Sequence, residues 1–219
     1  ASMFGNTTEC VEAAKAILEQ HGYEVLVFHA TGTGGRTMES LIEAGRIAGV
    51  LDVTTTEWAD ELVGGVLNAG PTRLEAAARA GVPAIVTPAC LDMVNFWAPE
   101  TVPPKFKGRT FYPHNPNITL MRTTPAECCE LGRILAEKIN MSTGPVKVLL
   151  PLKGWSVIDA PDGPFWLPEA NDALHAALKE RVRKDIEVIE VDANVNDSDF
   201  SNLAAYILLE LIQSASKSG

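Results

Sequence analysis

Residues 23–56 read YEVLVFHATGTGGRTMESLIEAGRIAGVLDVTTT, and this stretch decides the fold class. It places a glycine-rich segment between two apolar, β-rich runs, Tyr23–Ala30 and Gly49–Thr54. Nearly continuous apolar runs are typical of parallel strands that are covered on both faces, and helical patterns separate the runs here. The sequence therefore predicts a doubly wound, mostly parallel α/β sheet, a Rossmann- or flavodoxin-like three-layer sandwich. Four further runs continue the pattern: Pro83–Pro88, Thr110–His114, Val146–Leu152 and Ile186–Asp192.

Helix signals separate these runs. The segment Thr124–Glu127 combines an N-cap threonine, a proline at the first helical position and a glutamate that completes a capping box. Asn6 and Glu9 predict a similar helix start near the beginning of the chain. The strongest amphipathic stripe lies near the end, where apolar residues recur at helical spacing: Phe200, Leu203, Ala204, Ile207, Leu208, Leu211 and Ile212.

The chain reads as a single α/β lobe over residues 1–219. The Pro-rich stretch Ala98–Pro113 is interpreted as an excursion between two elements. Residues 1–8, ASMFGNTT, look like the end of a strand that already turns into a helix, so we expect a lobe excised from a longer protein. The apolar content of 46% agrees with a surface that a partner lobe covers, and we also expect homodimers.

Charge and composition exclude several classes of function. The chain has 28 acidic and 18 basic residues, a net charge of −10, which repels nucleic-acid phosphates. No apolar run approaches the roughly 20 residues of a membrane span. The four cysteines lack CxxC spacing, which favours neither a disulfide framework nor a zinc knuckle. The sequence matches no other metal-binding motif. We expect a cytoplasmic protein without metal, nucleic acid or membrane partners.

In open α/β sheets, ligands bind outside the carboxyl ends of the strands, so the residues that follow each run are the candidates for a site. The sharpest is the glycine loop Gly32, Thr33, Gly34, Gly35 and Arg36, whose backbone N–H groups could hold an anion at a helix start. Arg36 could add a guanidinium. Thr37 stands where a dinucleotide fingerprint needs glycine, and a tight turn without a ligand is the alternative.

Other polar residues follow the remaining runs. Thr54, Thr55, Thr56 and Glu57 could present hydroxyls to a ligand, with helix capping as the alternative. His29 and His114 are candidate acid–base groups, with ordinary structural roles as the alternative. Asn115 follows His114. Arg122 and Lys153 are candidate anion binders, with solvated surface charge as the alternative.

Together these segments resemble a known family. The resemblance rests on the order MFGNTT, FHATGTGGRTME, LDVTTTE, TPACLDMVNF, HNPNITLMRTTPAE and LLPLKGWS with IDAPDGPFW, and it covers essentially the whole chain. The chain is similar to the tobamovirus-resistance-like ATP-binding proteins of bacteria, fungi and plants, which in plants inhibit viral RNA replication. The resemblance implies two Rossmann-like lobes, of which this chain is the carboxyl-terminal one. It also implies ATP binding, associated mainly with the amino-terminal lobe.

Three hypotheses for function follow. The first is a lobe that binds a phosphate- or carboxylate-bearing small molecule, ATP among the candidates. The second is an enzyme that acts on a small acidic metabolite, with His114 or His29 as general acid or base. The third is a protein-interaction module with an exposed apolar patch around Trp97 or Trp166.

Overall fold

The computed structural model describes residues 1–218 and contains, within them, nine short strands, six of which lie side by side. In chain order the strands are β1 (Ser2–Met3), β2 (Phe28–His29), β3 (Val50–Thr54), β4 (Ala84–Ala89), β5 (Met93–Phe96), β6 (Phe111–Asn115), β7 (Ile118–Arg122), β8 (Val146–Pro151) and β9 (Glu187–Val191). Strands β3, β4, β8 and β9 form a parallel sheet in that spatial order, and β1 pairs in parallel with β2. The predicted mostly parallel α/β sheet is confirmed.

The side chain of Ser2 joins the β1–β2 pair to the four-stranded sheet. Its hydroxyl donates to Asp52 Oδ1 at 2.6 Å and accepts from the backbone N–H of Thr54 at 2.9 Å. The six strands therefore follow the order β2-β1-β3-β4-β8-β9, in which the chain reverses direction across the sheet between β1 and β3. Crevices at such reversals are where doubly wound folds bind ligands.

Helices cover both faces of the sheet. They are α1 (Thr8–Gln20), α2 (Thr33–Glu43), α3 (Glu57–Val63), α4 (Glu75–Ala80), α5 (Pro125–Asn140), α6 (Pro168–Arg181) and α7 (Ser198–Ser218). Alternate strand residues point to opposite faces. Leu51, Ile85 and Leu149 pack with α1 and α7, whereas Val50, Val86 and Val148 pack with α2 to α6. This is the predicted three-layer sandwich.

Two predicted helix starts have different outcomes. The capping box at α5 is confirmed, because Thr124 Oγ1 accepts from Glu127 N at 3.2 Å and Glu127 Oε2 accepts from Thr124 N at 2.7 Å. The prediction that Asn6 caps the first helix is wrong. Residues 5–7 form a 3₁₀ turn in which Thr7 Oγ1 accepts from Phe4 N, so α1 begins only at Thr8.

The third strand system is an antiparallel sheet in the order β5-β7-β6. The run Thr110–His114 was predicted to belong to the parallel sheet, and this is wrong. It pairs with β7 as a hairpin, and β5 and β7 were not predicted. The Pro-rich stretch Ala98–Pro113 connects β5 to β6 through two short 3₁₀ turns, as an excursion between two elements.

The predicted strand over Tyr23–Ala30 is shorter than expected. Only Phe28 and His29 pair with β1, which itself has two residues. The preceding residues 23–26 line a cavity of about 310 Å³ instead of pairing with a neighbouring strand. No helix within residues 1–218 is both long enough and apolar enough to cross a bilayer.

Candidate functional site

The glycine loop at the start of α2 already holds a carboxylate of the protein itself. Glu57 Oε1 accepts hydrogen bonds from the backbone N–H groups of Gly32 at 2.7 Å and Gly35 at 3.1 Å. A Cβ at position 35 would overlap this carboxylate, which explains why glycine is needed there. Sequence reasoning recognised a loop built for close approach of an anion, and the anion is Glu57.

Glu57 belongs to a buried network that we call the Arg73 cluster: Arg73, Asp52, Glu57 and Glu39. The Arg73 guanidinium binds both Asp52 oxygens at 2.6 Å each, Glu57 Oε2 at 2.6 Å and Glu39 Oε1 at 3.2 Å. Both Glu39 oxygens also accept from backbone N–H groups at the start of α4. Every carboxylate oxygen in this cluster has a hydrogen-bond donor, so the Arg73 cluster is a complete structural joint.

The charges of this cluster reflect burial and mutual attraction. Burial raises the pKa of Glu57 and of Glu39, and Arg73 opposes that shift. Burial works against the positive charge of Arg73, but the Asp52, Glu57 and Glu39 carboxylates together outweigh it and raise the pKa of the guanidinium. The guanidinium therefore stays charged and ties together β3, α2, α3 and α4.

The predicted threonines at the end of β3 are buried and bonded within the protein. Thr54 Oγ1 lies 2.8 Å from Thr7 Oγ1, and Thr55 Oγ1 donates to Thr87 O at 3.0 Å. Thr56 Oγ1 accepts from Asn95 Nδ2 at 3.3 Å. These hydroxyls fill the crevice between β1 and β3, and strand β5 lies over them.

A second buried network lies at the carboxyl ends of β4 and β8. We call it the Arg122 cluster: Arg122, Asp92, Asp159, Ser156 and Asn171. Ser156 Oγ donates to Asp92 Oδ2 at 2.8 Å and accepts from Asp159 N at 3.0 Å. Asn171 Nδ2 and Trp155 N both donate to Asp159 Oδ2, at 2.9 and 3.0 Å. One serine therefore links the Asp92 carboxylate to the backbone of Asp159.

Each of these two acids keeps one oxygen without a hydrogen-bond donor. Within residues 1–218, Asp92 Oδ1 and Asp159 Oδ1 are buried and accept no hydrogen bond. The nearest cation, Arg122 Nη2, lies 3.5 Å from Asp159 Oδ1, beyond good hydrogen-bond distance. Buried polar atoms are nearly always satisfied, so two free oxygens in one cluster call for an explanation.

Electrostatics makes this pair of acids unusual. Burial, then repulsion from Asp159, raises the pKa of Asp92 to about 7, against the attraction of Arg122. Burial also raises the pKa of Asp159, with Arg122 and Asn171 opposing. Because neighbouring carboxylates resist simultaneous ionisation, the charge on Asp159 adds to the effect of burial and favours the protonated form of Asp92.

The walls of the Arg122 cluster carry no further charge. Burial lowers the pKa of His175 to about 4, and this ring accepts the indole N–H of Trp155 at 3.3 Å. Burial raises the pKa of Cys128 to about 11 and raises that of Cys90 further. The irregular segment 152–167 covers the cluster, with Phe165 buried beneath it and Val157 58% exposed on its outer side.

The other predicted residues lie apart from one another. Arg122 is buried in the cluster, where its guanidinium donates to Phe165 O, Thr123 Oγ1 and Asn171 Oδ1. Arg36 is exposed and donates to Asn68 O at 3.0 Å. Lys153 is exposed and pairs with Asp192 Oδ2 at 2.9 Å. Arg122, at the end of β7, is therefore buried, whereas Arg36 and Lys153 lie at the surface.

The two candidate histidines and Asn115 are exposed. His29 ends β2, and His114 lies near the tip of the β6–β7 hairpin, away from the parallel strands. Asn115 Oδ1 accepts from Asn117 N at 2.8 Å inside that hairpin turn. Neither histidine has a carboxylate partner among the described ion pairs.

Sequence reasoning did not select Asp92, Asp159, Ser156 or Asn171 as site residues. One signal was available, because Asp92 directly follows the apolar run of β4 and Ser156 follows that of β8. Asp159 and Asn171 gave none, since they reach the site through an irregular segment and a helix. No group of three potential metal ligands occurs within residues 1–218.

An apolar surface lies elsewhere on the antiparallel sheet. Trp97 is 49% exposed, and beside it a groove of about 510 Å³ is lined by Pro99, Val102, Phe106 and Phe111, among others. Trp166, the other predicted patch residue, is half-buried. An exposed apolar surface thus occurs near the first of the two predicted tryptophans.

Comparison with known proteins identifies relatives over nearly the whole chain. A UPF0261 protein of Clostridium tetani is 53% identical over 97% of this chain and 53% of its own length. The UPF0261 protein RA0729 of Rhizobium meliloti is 49% identical over 93% and 51%. The ToMV resistance protein Tm-1(GCR237) of Solanum lycopersicum is 43% identical over 96% and 28%. The chain thus spans about half the length of its bacterial relatives.

The resemblance to tobamovirus-resistance proteins is confirmed, whereas ATP binding stays a prediction. Residues 1–212 match the family described as "Uncharacterised protein family (UPF0261) C-terminal domain". That match covers the parallel sheet, both helix layers and both arginine clusters. The chain belongs to the UPF0261 C-terminal domain family.

Proposed function

We propose that this domain binds a small polar molecule at the carboxyl ends of β4 and β8, over the Arg122 cluster. One observation carries the proposal: Asp92 Oδ1 and Asp159 Oδ1 are buried without a hydrogen-bond donor. Leaving such oxygens unpaired costs about 1–3 kcal/mol each. These oxygens lie at the carboxyl ends of strands, where doubly wound proteins bind ligands. A ligand that donates hydrogen bonds to them would remove this cost.

We propose separately that the ligand carries a phosphate or carboxylate group. The Gly32–Gly35 donors are used by Glu57, and the donors of Arg122 point to neighbouring oxygens. A phosphate or carboxylate, ATP included, would have to meet Lys153 or Arg36, the exposed cations of the same sheet edge. We further propose that the lobe works beside an amino-terminal lobe and in homodimers, in a cytoplasmic protein.

One specific feature favours an enzyme as the second candidate. Burial raises the pKa of Asp92 to about 7 and raises the pKa of Asp159, and a raised pKa suits a carboxyl group that acts as a general acid or base. His114 and His29, the acid–base candidates of the sequence, lie outside this cluster. In the second candidate function, the pair moves a proton to or from the bound molecule.

Paired substitutions test whether the free oxygens belong to a binding site. Asp60 is the matched control: it is equally buried, and burial raises its pKa to about 7 as well. Its carboxylate, however, accepts from Leu67 N, Asn95 N and Asn95 Nδ2 at 2.7, 2.7 and 3.2 Å. Asp60 is therefore a structural acid, whereas within residues 1–218 the Asp92 carboxylate accepts a hydrogen bond from just one other residue, Ser156.

At pH 8 we expect Asp92→Asn to raise the melting temperature by about 3 °C, because it removes a buried charge and breaks no other bond. Asp60→Asn should lower it by about 6 °C or more, because the new amide faces two backbone donors. Thermal unfolding followed by circular dichroism gives both values. Equal destabilisation by the two substitutions would place Asp92 among the structural acids and refute the proposed site.

A further inference from the structure

The Arg122 cluster has one negative charge too many when both of its acids are ionised. Asp92 and Asp159 carry two negative charges, and Arg122 carries one positive charge. The other titratable groups that face the pair are the Cys90 and Cys128 thiols and the His175 ring. All three are buried and neutral near pH 7, because burial shifts their pKa values toward the uncharged forms. No described side chain supplies the missing positive charge.

Hydrogen-bond donors are also missing on the same side of the cluster. The Arg122 guanidinium is committed to Phe165 O at 2.8 Å, Thr123 Oγ1 at 2.8 Å and Asn171 Oδ1 at 2.6 Å. Ser156 gives its only hydroxyl hydrogen to Asp92 Oδ2. Asp92 Oδ1 therefore has no donor from the described residues, and the nearest cation to Asp159 Oδ1 is Arg122 Nη2 at 3.5 Å.

We propose that Asp92 Oδ1 and Asp159 Oδ1 bind the protonated primary amine of a small ligand, and this inference rests on the proposed function of the site. An ammonium group carries one positive charge, which balances the second carboxylate, and three N–H donors, which can bond to the free oxygens. The ligand class is thus small molecules that carry a primary amine. Binding of such a molecule converts a singly protonated acid pair into an ionised pair and releases one proton to solvent.

Proton release sets the expected dependence on pH. Below about pH 7 the pair holds its proton, which must leave before the ammonium enters. The affinity should therefore rise between about pH 6 and pH 8, while the amine itself stays protonated. A ligand held by neutral hydrogen bonds alone would show no such rise.

Three probes test the ligand class on the full chain at equal ionic strength: methylammonium chloride, tetramethylammonium chloride and magnesium chloride. Tetramethylammonium has the same charge as methylammonium but no N–H donor. At pH 8, about 100 mM methylammonium should raise the melting temperature by about 3 °C if its dissociation constant is about 10 mM. The shift should shrink by at least half at pH 6, and tetramethylammonium should give less than a third of it.

Two variants link the response to the acid pair. Asp92→Asn should abolish the methylammonium shift, whereas Glu100→Gln, which removes the same charge from an exposed position, should keep it. Isothermal calorimetry at pH 6, in two buffers of different ionisation enthalpy, should show release of about one proton per methylammonium bound, and of far less than one at pH 8.

The failures of the two proposals are distinguishable. An equal shift with tetramethylammonium, a larger shift with magnesium, a shift that survives in Asp92→Asn, or no shift with methylammonium would each overturn the amine assignment. The proposed site would still stand in those cases if Asp92→Asn raises the melting temperature. If Asp92→Asn destabilises the fold as Asp60→Asn does, the site itself fails.

Discussion

The Arg73 cluster and the Arg122 cluster contain the same kinds of residues but differ in how many carboxylate oxygens have a hydrogen-bond donor. In each, a buried arginine faces at least two buried carboxylates near the carboxyl ends of parallel strands. In the Arg73 cluster every carboxylate oxygen has a donor, and backbone N–H groups of two helix starts complete the set. In the Arg122 cluster two oxygens have none. Both clusters bury charge, so the proposed ligand site depends on the missing donors of the Arg122 cluster and not on burial itself.

The largest effect should come from breaking the complete cluster. Arg73→Met leaves three buried carboxylates without their cation, and we expect a loss of about 3–5 kcal/mol in the free energy of unfolding. Urea denaturation measures it, with Arg79→Met as the control. Arg79 is 63% exposed, and its partner Glu75 is buried but also pairs with Lys138, so the loss of Arg79 should change stability by less than about 1 kcal/mol. Similar values for both variants would contradict the assignment of Arg73 as the joint of four elements.

A smaller effect is expected where the glycine loop meets Glu57. In Gly35→Ala the new methyl group overlaps the Glu57 carboxylate, and shifting it breaks bonds to Gly32 and Arg73. We expect a loss of about 2–3 kcal/mol in the free energy of unfolding. Gly5→Ala serves as the control, because a Cβ at position 5 meets nothing within 4 Å. Wild-type stability in Gly35→Ala would show that the loop is free for an external anion.

The smallest effect is a difference in pH dependence. The pKa of Asp92 is higher in the folded protein than in the unfolded chain, so the folded state binds the proton more tightly. The stability that this group contributes is present below about pH 4 and is lost as pH rises toward about 7. In Asp92→Asn this part of the slope should disappear, so the gap between the variant and the wild type should widen by about 1 kcal/mol from pH 6 to pH 8.

Urea midpoints at pH 5, 6, 7 and 8 give this slope directly. Asp185→Asn is a suitable reference, because the exposed Asp185 has its pKa lowered by the hydrogen bond from Arg183 and should not contribute above pH 5. Parallel curves for wild type and Asp92→Asn would mean that Asp92 is ionised throughout this range.

The sequence allowed the parallel sheet to be predicted because its strands are short apolar runs that alternate with helix signals. The antiparallel sheet escaped prediction because Met93–Phe96 and Ile118–Arg122 lie inside polar motifs and pair over a long insertion. In the candidate site, both partners of the Gly32–Glu57 bond were predicted, but as separate ligand contacts. Sequence spacing shows that donors and acceptors exist; only the three-dimensional structure shows that they satisfy each other.

Asp92 and Asp159 illustrate the opposite limit. Each is an unremarkable aspartate in the sequence, and their common contact, Ser156, reaches them because segment 152–167 folds back over the end of β4. The spacing of apolar residues in the sequence does not predict that this segment folds back. The unpaired oxygens are a property of the assembled cluster, so no single residue type announces them.

The bridge through Ser2 has a consequence for how the sheet opens. The Ser2 hydroxyl joins the β1–β2 pair to Asp52 and Thr54 of β3, and Met3 packs in the same core as Leu51, whereas β3, β4, β8 and β9 share backbone ladders. Local unfolding proceeds first where the fewest backbone bonds must break. We therefore expect the β1–β2 edge to unfold locally before the four-stranded sheet of β3, β4, β8 and β9 does.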